Sequence, residues 1–179
     1  MMKKLFVLAF AVTCIMSMHA QVFNTATTLK KQTLSLGIEP VIVAEGNNDL
    51  RLFGHIGYGL KKGIDLSAKV GFLNGYKYLG ADVEFALGKH FSASGGIHSA
   101  SDFGLDGTFL GTINPAKNVA IYSGIDADIQ FADELQIPIW IPIGVEVFIK
   151  KKVAFILEGS IGVYDNAWNM IGGGINYYF

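Results

Sequence analysis

The sequence predicts an all-β protein, a single closed antiparallel up-and-down transmembrane β-barrel of ten strands, with eight as the alternative count. Three observations carry this. Apolar and polar residues alternate: in the last strand Ile171, Gly173, Ile175, Tyr177 and Phe179 take one face, and Gly172, Gly174, Asn176 and Tyr178 the other. Mean hydropathy is positive at +0.39, yet beyond residue 20 no apolar run reaches the roughly 20 residues of a spanning helix. Finally, once the apolar residues fix each strand's phase, the charged residues fall on the opposite phase.

Period-2 reading places strands near 33–43, 50–60, 64–73, 78–87, 91–98, 103–112, 119–131, 137–149, 153–164 and 169–179. Each approximates the 9 to 11 residues that a tilted strand needs to cross a bilayer. Glu39 marks the wet face of the first strand, and Arg51 and His55 that of the second. Phe53 shares the phase of Arg51, so a bulge or a plug-like side chain is expected there. In the third strand Ile64, Leu66, Ala68, Val70 and Phe72 oppose Asp65, Ser67, Lys69 and Gly71. In the fourth, Leu79, Ala81, Val83, Phe85 and Leu87 oppose Tyr78, Gly80, Asp82, Glu84 and Ala86. Phe91 sets the outer phase of the fifth strand, and Phe103 and Phe109 that of the sixth, where Asp106 faces in. Asp126 and Asp128 oppose the apolar face of the seventh strand, Val119 to Phe131. In the eighth, Glu146 faces in, while Pro138 and Pro142 each delete a ladder donor; a weak seam or a bulge is expected. In the ninth, Val153, Phe155, Leu157, Ile161 and Val163 oppose Glu158 and Ser160.

The connections alternate as well. After even-numbered strands come Lys61-Lys62-Gly63, Gly88-Lys89-His90, Asn114-Pro115-Ala116-Lys117 and Lys150-Lys151-Lys152; after odd-numbered strands come mostly acidic or polar segments, Glu45-Gly46-Asn47-Asn48-Asp49, Asn74-Gly75-Tyr76-Lys77, Ser99-Ala100-Ser101-Asp102, Ala132-Asp133-Glu134-Leu135-Gln136 and Asp165-Asn166-Ala167-Trp168. Outward aromatics form two sets, Tyr58, Phe85, Phe91, Phe109, Phe155, Tyr177 and Phe179 toward the lysine end and Phe72, Phe103 and Phe131 toward the acidic end. Two aromatic girdles around an aliphatic belt are what membrane interfaces select.

At the other end of the chain, Met1-Met2-Lys3-Lys4, the apolar run Leu5 to Met18 and Ala20-Gln21 read as a cleaved secretory signal, residues 1–20. Residues 21–179 then form one barrel domain. Cys14 falls inside the signal, so the mature chain has no thiol for disulfides or metal. With Lys3 and Lys4 removed, 12 basic and 15 acidic side chains remain. That balance offers no basic footprint for nucleic acid, and no G-x-G-x-x-G opens a helix after a strand. No cofactor is expected.

The terminal aromatic Phe179, with Tyr177 and Ile175, and the dyad alternation resemble the small Gram-negative outer-membrane barrel proteins, the porin-like or opacity-like family. The resemblance covers essentially the whole mature chain and matches no particular member. It implies localisation in the bacterial outer membrane after export through the inner membrane. Ile175, Tyr177 and Phe179 would be the assembly signal. It also implies as partners outer-membrane lipid and lipopolysaccharide, periplasmic chaperones and the barrel assembly machinery, and it sets the lysine-rich turns in the periplasm.

The lumen is where chemistry could reside. Nine carboxylates (Glu39, Asp65, Asp82, Glu84, Asp106, Asp126, Asp128, Glu146, Glu158) face it against Arg51 and Lys69. Simple hairpin registers set Lys69 between His55 and Asp82 as an ion-pair network, and Asp106 beside Asp126 and Asp128 with no base in reach. Crowded acids keep protons or recruit cations, which suggests a narrow cation-preferring conduit; the bland reading is hydrated or hydrogen-bonded wall residues. A calcium site is disfavoured, because strand-borne acids lack the loop geometry of known cages. Inward Trp140, Phe148, Tyr78, Tyr122, Tyr164 and Tyr178 argue for a blocked or very narrow bore. A non-enzymatic barrel, structural or narrowly permeable, is the reading these residues favour. The alternative is a rim-active hydrolase or acyltransferase using His98, Ser99, Ser101 and Asp102, although Ser, His and Asp are common in polar loops.

Overall fold

The computed structural model describes residues 27–44, 48–100 and 102–179. The signal reading of residues 1–20, Cys14 included, lies outside them, as do Glu45, Gly46, Asn47 and Ser101. The chain runs β1 (Leu34–Ala44), β2 (Asp49–Lys61), β3 (Ile64–Leu73), β4 (Tyr76–Ala86), β5 (Phe91–Ser99), β6 (Phe103–Ala116), β7 (Val119–Phe131), β8 (Leu135–Gln136), β9 (Ile139–Lys150), β10 (Val153–Tyr164) and β11 (Asn169–Tyr178). All pairings are antiparallel. The ring runs from β1 through β7, then β9, β10 and β11, and β11 pairs back with β1. Ten strands therefore close the barrel, as the alternation predicts. The two-residue β8 lies outside the ring on the end of β7.

The lipid-facing phase is as expected. Ile42, Ile56, Leu66, Val70, Ile125, Leu157, Ile171 and Ile175 are all exposed on the outside. Exposed charges within strands, Lys61, Lys77 and Lys150 among the described residues, sit at or next to strand ends. The girdle aromatics are exposed and several pair: Phe91 stacks on Phe109 at 5.7 Å, Phe103 on Phe131 at 5.9 Å, and Tyr177 meets Phe179 edge-on at 4.7 Å.

Local irregularities fall where expected at Phe53 and Pro142, and at further points besides. The β2 register is regular around Phe53, which is 1% exposed and meets Tyr78 edge-on at 5.7 Å. It is a plug, not a bulge. Gly71, its neighbour on β3, leaves the room: a Cβ there would overlap the Phe53 ring. Pro142 of β9 accompanies a gap in the ladder to β7, the weak seam expected there, and the ladder to β10 shifts register at Ile139, next to Pro138. One register holds from Val119↔Val147 to Ala127↔Ile139, but Gly124 and Ile125, paired on their other side with β6, have no partner on β9 where Pro142 and Ile141 pass. Pro138 accepts from Asp128 N–H at 3.1 Å, and Gln130↔Gln136 continues the register into β8. A second gap lies at the closing seam, where Ile38↔Ile175 and Val41↔Gly172 bracket Glu39 and Pro40. The register shifts occur near strand ends, at Gly59/Lys61, Ile113/Ala116, Val153/Ala154 and Gly162/Tyr164. The last one turns Tyr164 out of the barrel, 62% exposed, which corrects its expected lumen position.

Placing a cation on the outer waist tests the orientation of the two faces. Leu157→Arg, in the middle of β10, should destabilise the barrel by about 2–4 kcal/mol in reversible denaturant titrations from phospholipid vesicles. A cost near zero would mean that this face does not meet hydrocarbon.

Candidate functional site: the barrel interior

The interior is layered. Toward the acidic end Val41, Val43, Phe53, Tyr78, Trp140 and Met170 form one buried apolar cluster, with Ala100, Ala167 and Trp168 packed against it. Trp140 is fully buried, and its indole N–H donates to Trp168 O at 2.9 Å. This cluster spans the bore from β1 and β2 to β9 and β11. Val41, Val43 and Met170 carry no polar mark, so the polar count alone does not reveal that this end of the bore is filled.

Below the apolar layer lies a belt of buried charge. Glu39, Arg51, Asp65, Lys69, Glu84, Asp126, Asp128, Glu146 and Glu158 are each under 9% exposed. Buried acids persist only when neutralised or hydrogen-bonded, and two kinds of partner do this on two sides of the wall. On the β9–β11 side the partners are hydroxyls: Tyr122 donates to Glu158 at 2.7 Å, Ser160 to Glu158 at 3.0 Å, and Tyr178 to Glu146 at 2.5 Å. Asn176 Nδ2 reaches the Tyr178 oxygen at 3.4 Å.

On the β3–β7 side the partners include cations. Lys69 Nζ stands 3.1 Å from Asp82 Oδ2, and Ser67 Oγ donates to both Asp82 oxygens at 2.8 and 2.9 Å. His55 is in register with Lys69, but its ring faces Glu39, with Nδ1 at 3.2 Å from Oε1. The expected His55, Lys69, Asp82 trio thus resolves into two pairs.

Asp106 is in register with Asp128, and Thr108 with Asp126, to which Thr108 donates a hydrogen bond. The three acids do cluster. They are not without a base, because His98 Nδ1 lies 3.5 Å from Asp106 Oδ2 and Nε2 lies 3.8 Å from Asp128 Oδ2. The His98 ring also stacks on Tyr78 at 5.6 Å, tying the acids to the apolar layer. His98 is buried inside, whereas Ser99, one residue on, is exposed on the other face of β5, so these two members of the rim relay are not brought together. Ser101 lies outside the described residues, and Asp102 is exposed at the acidic end. No group of three or more His, Cys, Asp or Glu suited to a metal ion occurs among the described residues.

The lysine-rich end is crossed by the segment before β1. Leu29 is 7% exposed, and its amide donates to Asp65 Oδ2 at 2.5 Å. Gln32 N–H donates to Gly59 O at 2.7 Å, and Gly59 N–H to Thr33 O at 2.9 Å. A Cβ on Gly59 would overlap the Lys30 carbonyl, so only glycine lets the segment lie this close. Cavities of about 350 and 180 Å³ flank Thr27 and Thr28 on either side.

No family model matches the sequence, and no curated protein matches it. Solved structures match the fold. An outer membrane channel from Pseudomonas putida F1 superposes with a TM-score of 0.58 at 8% identity, over 89% of this chain and 100% of that one. The KdgM porin gives 0.51 at 11% identity, over 81% and 99%. A de novo designed transmembrane β-barrel gives 0.51 at 13% identity, over 86% and 100%. The fold is that of integral outer-membrane β-barrels, porin-like proteins among them.

The Lys69–Asp82 pair offers a direct test of how the belt is balanced. Lys69→Met leaves Asp82 buried beside no ammonium and should lower the unfolding free energy by about 3–5 kcal/mol. Lys69→Met combined with Asp82→Asn should recover most of the loss. Equal stability of the single and double variants would mean that the carboxylate does not depend on the cation.

Proposed function

We propose that the chain is a non-enzymatic integral protein of the bacterial outer membrane whose barrel is sealed and acts as a membrane scaffold rather than as an open pore. The observation that carries this is the apolar cluster across the acidic end, in which Trp140, Val41 and Val43 are fully buried and Phe53 is 1% exposed. A hydrated path needs polar walls and room for water, and this layer supplies neither. The separation of His98 from Ser99 argues against the rim hydrolase or acyltransferase.

A second reading, a narrow cation-preferring conduit, is favoured by one specific observation, the belt of buried carboxylates around Arg51 and Lys69, the only buried Lys or Arg side chains among the described residues. Rings of acids favour cations. In a planar bilayer the full-length barrel should be silent, and Phe53→Ala with Trp140→Ala should give discrete cation-selective steps. Steps from the unmodified protein would replace the scaffold by the conduit.

Export by a cleaved signal over residues 1–20, delivery by periplasmic chaperones and insertion by the assembly machinery through Ile175, Tyr177 and Phe179 complete this reading. The lysine-rich end then faces the periplasm, and the acidic tips face the lipopolysaccharide leaflet. Phe179 N–H closes onto Leu34 O at 2.8 Å, so the terminal residue belongs to the closing seam itself. Deleting Phe179 should lower the yield of heat-modifiable, membrane-inserted protein several-fold in cells; unchanged insertion would remove this residue from the signal.

A further inference from the structure

We infer that the lysine-rich end carries a binding site for an anionic phospholipid headgroup, formed by the cavity between the segment before β1, the β9–β10 turn and the end of β11. The inference rests on the orientation proposed above, which puts this end against the phospholipid leaflet.

The charge is one-sided. Each of the four turns at this end carries lysine, as does the segment before β1, and none of these five stretches holds an Asp or Glu. All of these lysines are exposed. The opposite end presents Asp102, Asp133 and Glu134, also exposed, with Lys77 the one exposed lysine there among the described residues. Around the ring, the cavity of about 350 Å³ concentrates this charge: Lys30, Lys151 and Lys152 line it together with Thr33. Three ammonium groups and neighbouring hydroxyls suit a phosphodiester.

Its walls identify the rest of the molecule. Tyr178, tilted against Phe148 at 5.4 Å, lines it from the inner phase of the strand, and Phe179, 56% exposed, lines it from the lipid phase. The cavity therefore opens across the barrel wall onto the girdle, where Tyr177 and Phe179 meet at 4.7 Å. A phosphate held by the lysines has its acyl chains directly over those rings. Free phosphate would use the same ammonium groups but none of the apolar wall.

The test uses the full barrel refolded into phosphatidylcholine vesicles with and without phosphatidylglycerol, followed by native mass spectrometry of retained lipid. The unmodified protein should retain phosphatidylglycerol over phosphatidylcholine. Lys30→Gln with Lys151→Gln and Lys152→Gln should weaken that retention by about 100-fold, from roughly fivefold per lysine at an anionic surface. Lys61→Gln with Lys62→Gln and Lys89→Gln removes equal charge away from the cavity and should leave retention near the original. Heat-modifiability confirms that each variant has folded, and Lys151→Arg with Lys152→Arg keeps the charge should the neutral variant fail.

No lipid preference in the unmodified protein, or equal losses in both triple variants, would overturn the site. Displacement of the lipid by inorganic phosphate would also overturn it, in favour of a soluble anion. Orientation is read separately, by thiol labelling of Lys117→Cys and Asp133→Cys in intact cells with a reagent that does not cross the membrane. Labelling at 117 instead of 133 would reverse the orientation while leaving the vesicle result standing on its own.

Discussion

In hydrocarbon a backbone N–H or C=O has no water to turn to, and every constraint on this chain follows from that fact. Closing β11 onto β1 removes the sheet's edges, and the ladder alone satisfies most polar backbone groups. Closure in turn fixes the side chains. With the period at 2, each strand must send one set outward to lipid and the other inward, and a single residue of slip would reverse both. The registers are accordingly constant across the spans and shift near the strand ends.

The inside is then a problem of packing rather than of hydration. A barrel this small must fill its bore with side chains, and this chain fills it in two ways. Toward the acidic end it uses large apolar groups in the manner of a soluble core. Through the middle it uses acids whose partners differ from side to side: tyrosine and serine hydroxyls for Glu146 and Glu158, Lys69 for Asp82, and His98 for Asp106 and Asp128. Hydroxyl partners hold a carboxyl through hydrogen bonds without adding charge, whereas lysine makes an ion pair whose members depend on each other. Glu39 bridges the two regimes, belonging to β1 and facing His55 of β2.

Much of this was legible in the sequence, because lipid punishes errors of phase so heavily that the outward residues are nearly all apolar. Strand number, strand phase, the girdles and the crowding of Asp106, Asp126 and Asp128 follow from that pattern. The inward face is less constrained, and its pattern carries less information. Val41 and Val43 share the parity of Glu39, but apolar residues at inward positions look like noise until a cluster gathers them. The parity of His98 with Ser92 and Ser94, not its closeness in sequence to Ser99 and Asp102, sets its position inside the barrel. Leu29 precedes any alternation, so nothing periodic marks it as part of the mouth. Tyr164 departs from its strand's alternation because one irregularity next to it reverses its face.

Pro40 and Pro142 have a joint consequence. The interrupted ladders they accompany lie between β1 and β11 and between β7 and β9, so the three strands β9, β10 and β11 form a panel fastened along both sides by discontinuous stitching. Within the panel the ladder from Val153↔Tyr177 to Ser160↔Met170 is unbroken. The wall is thus divided into a seven-strand trough and a three-strand panel, joined by the two ladders that lack rungs at mid-length.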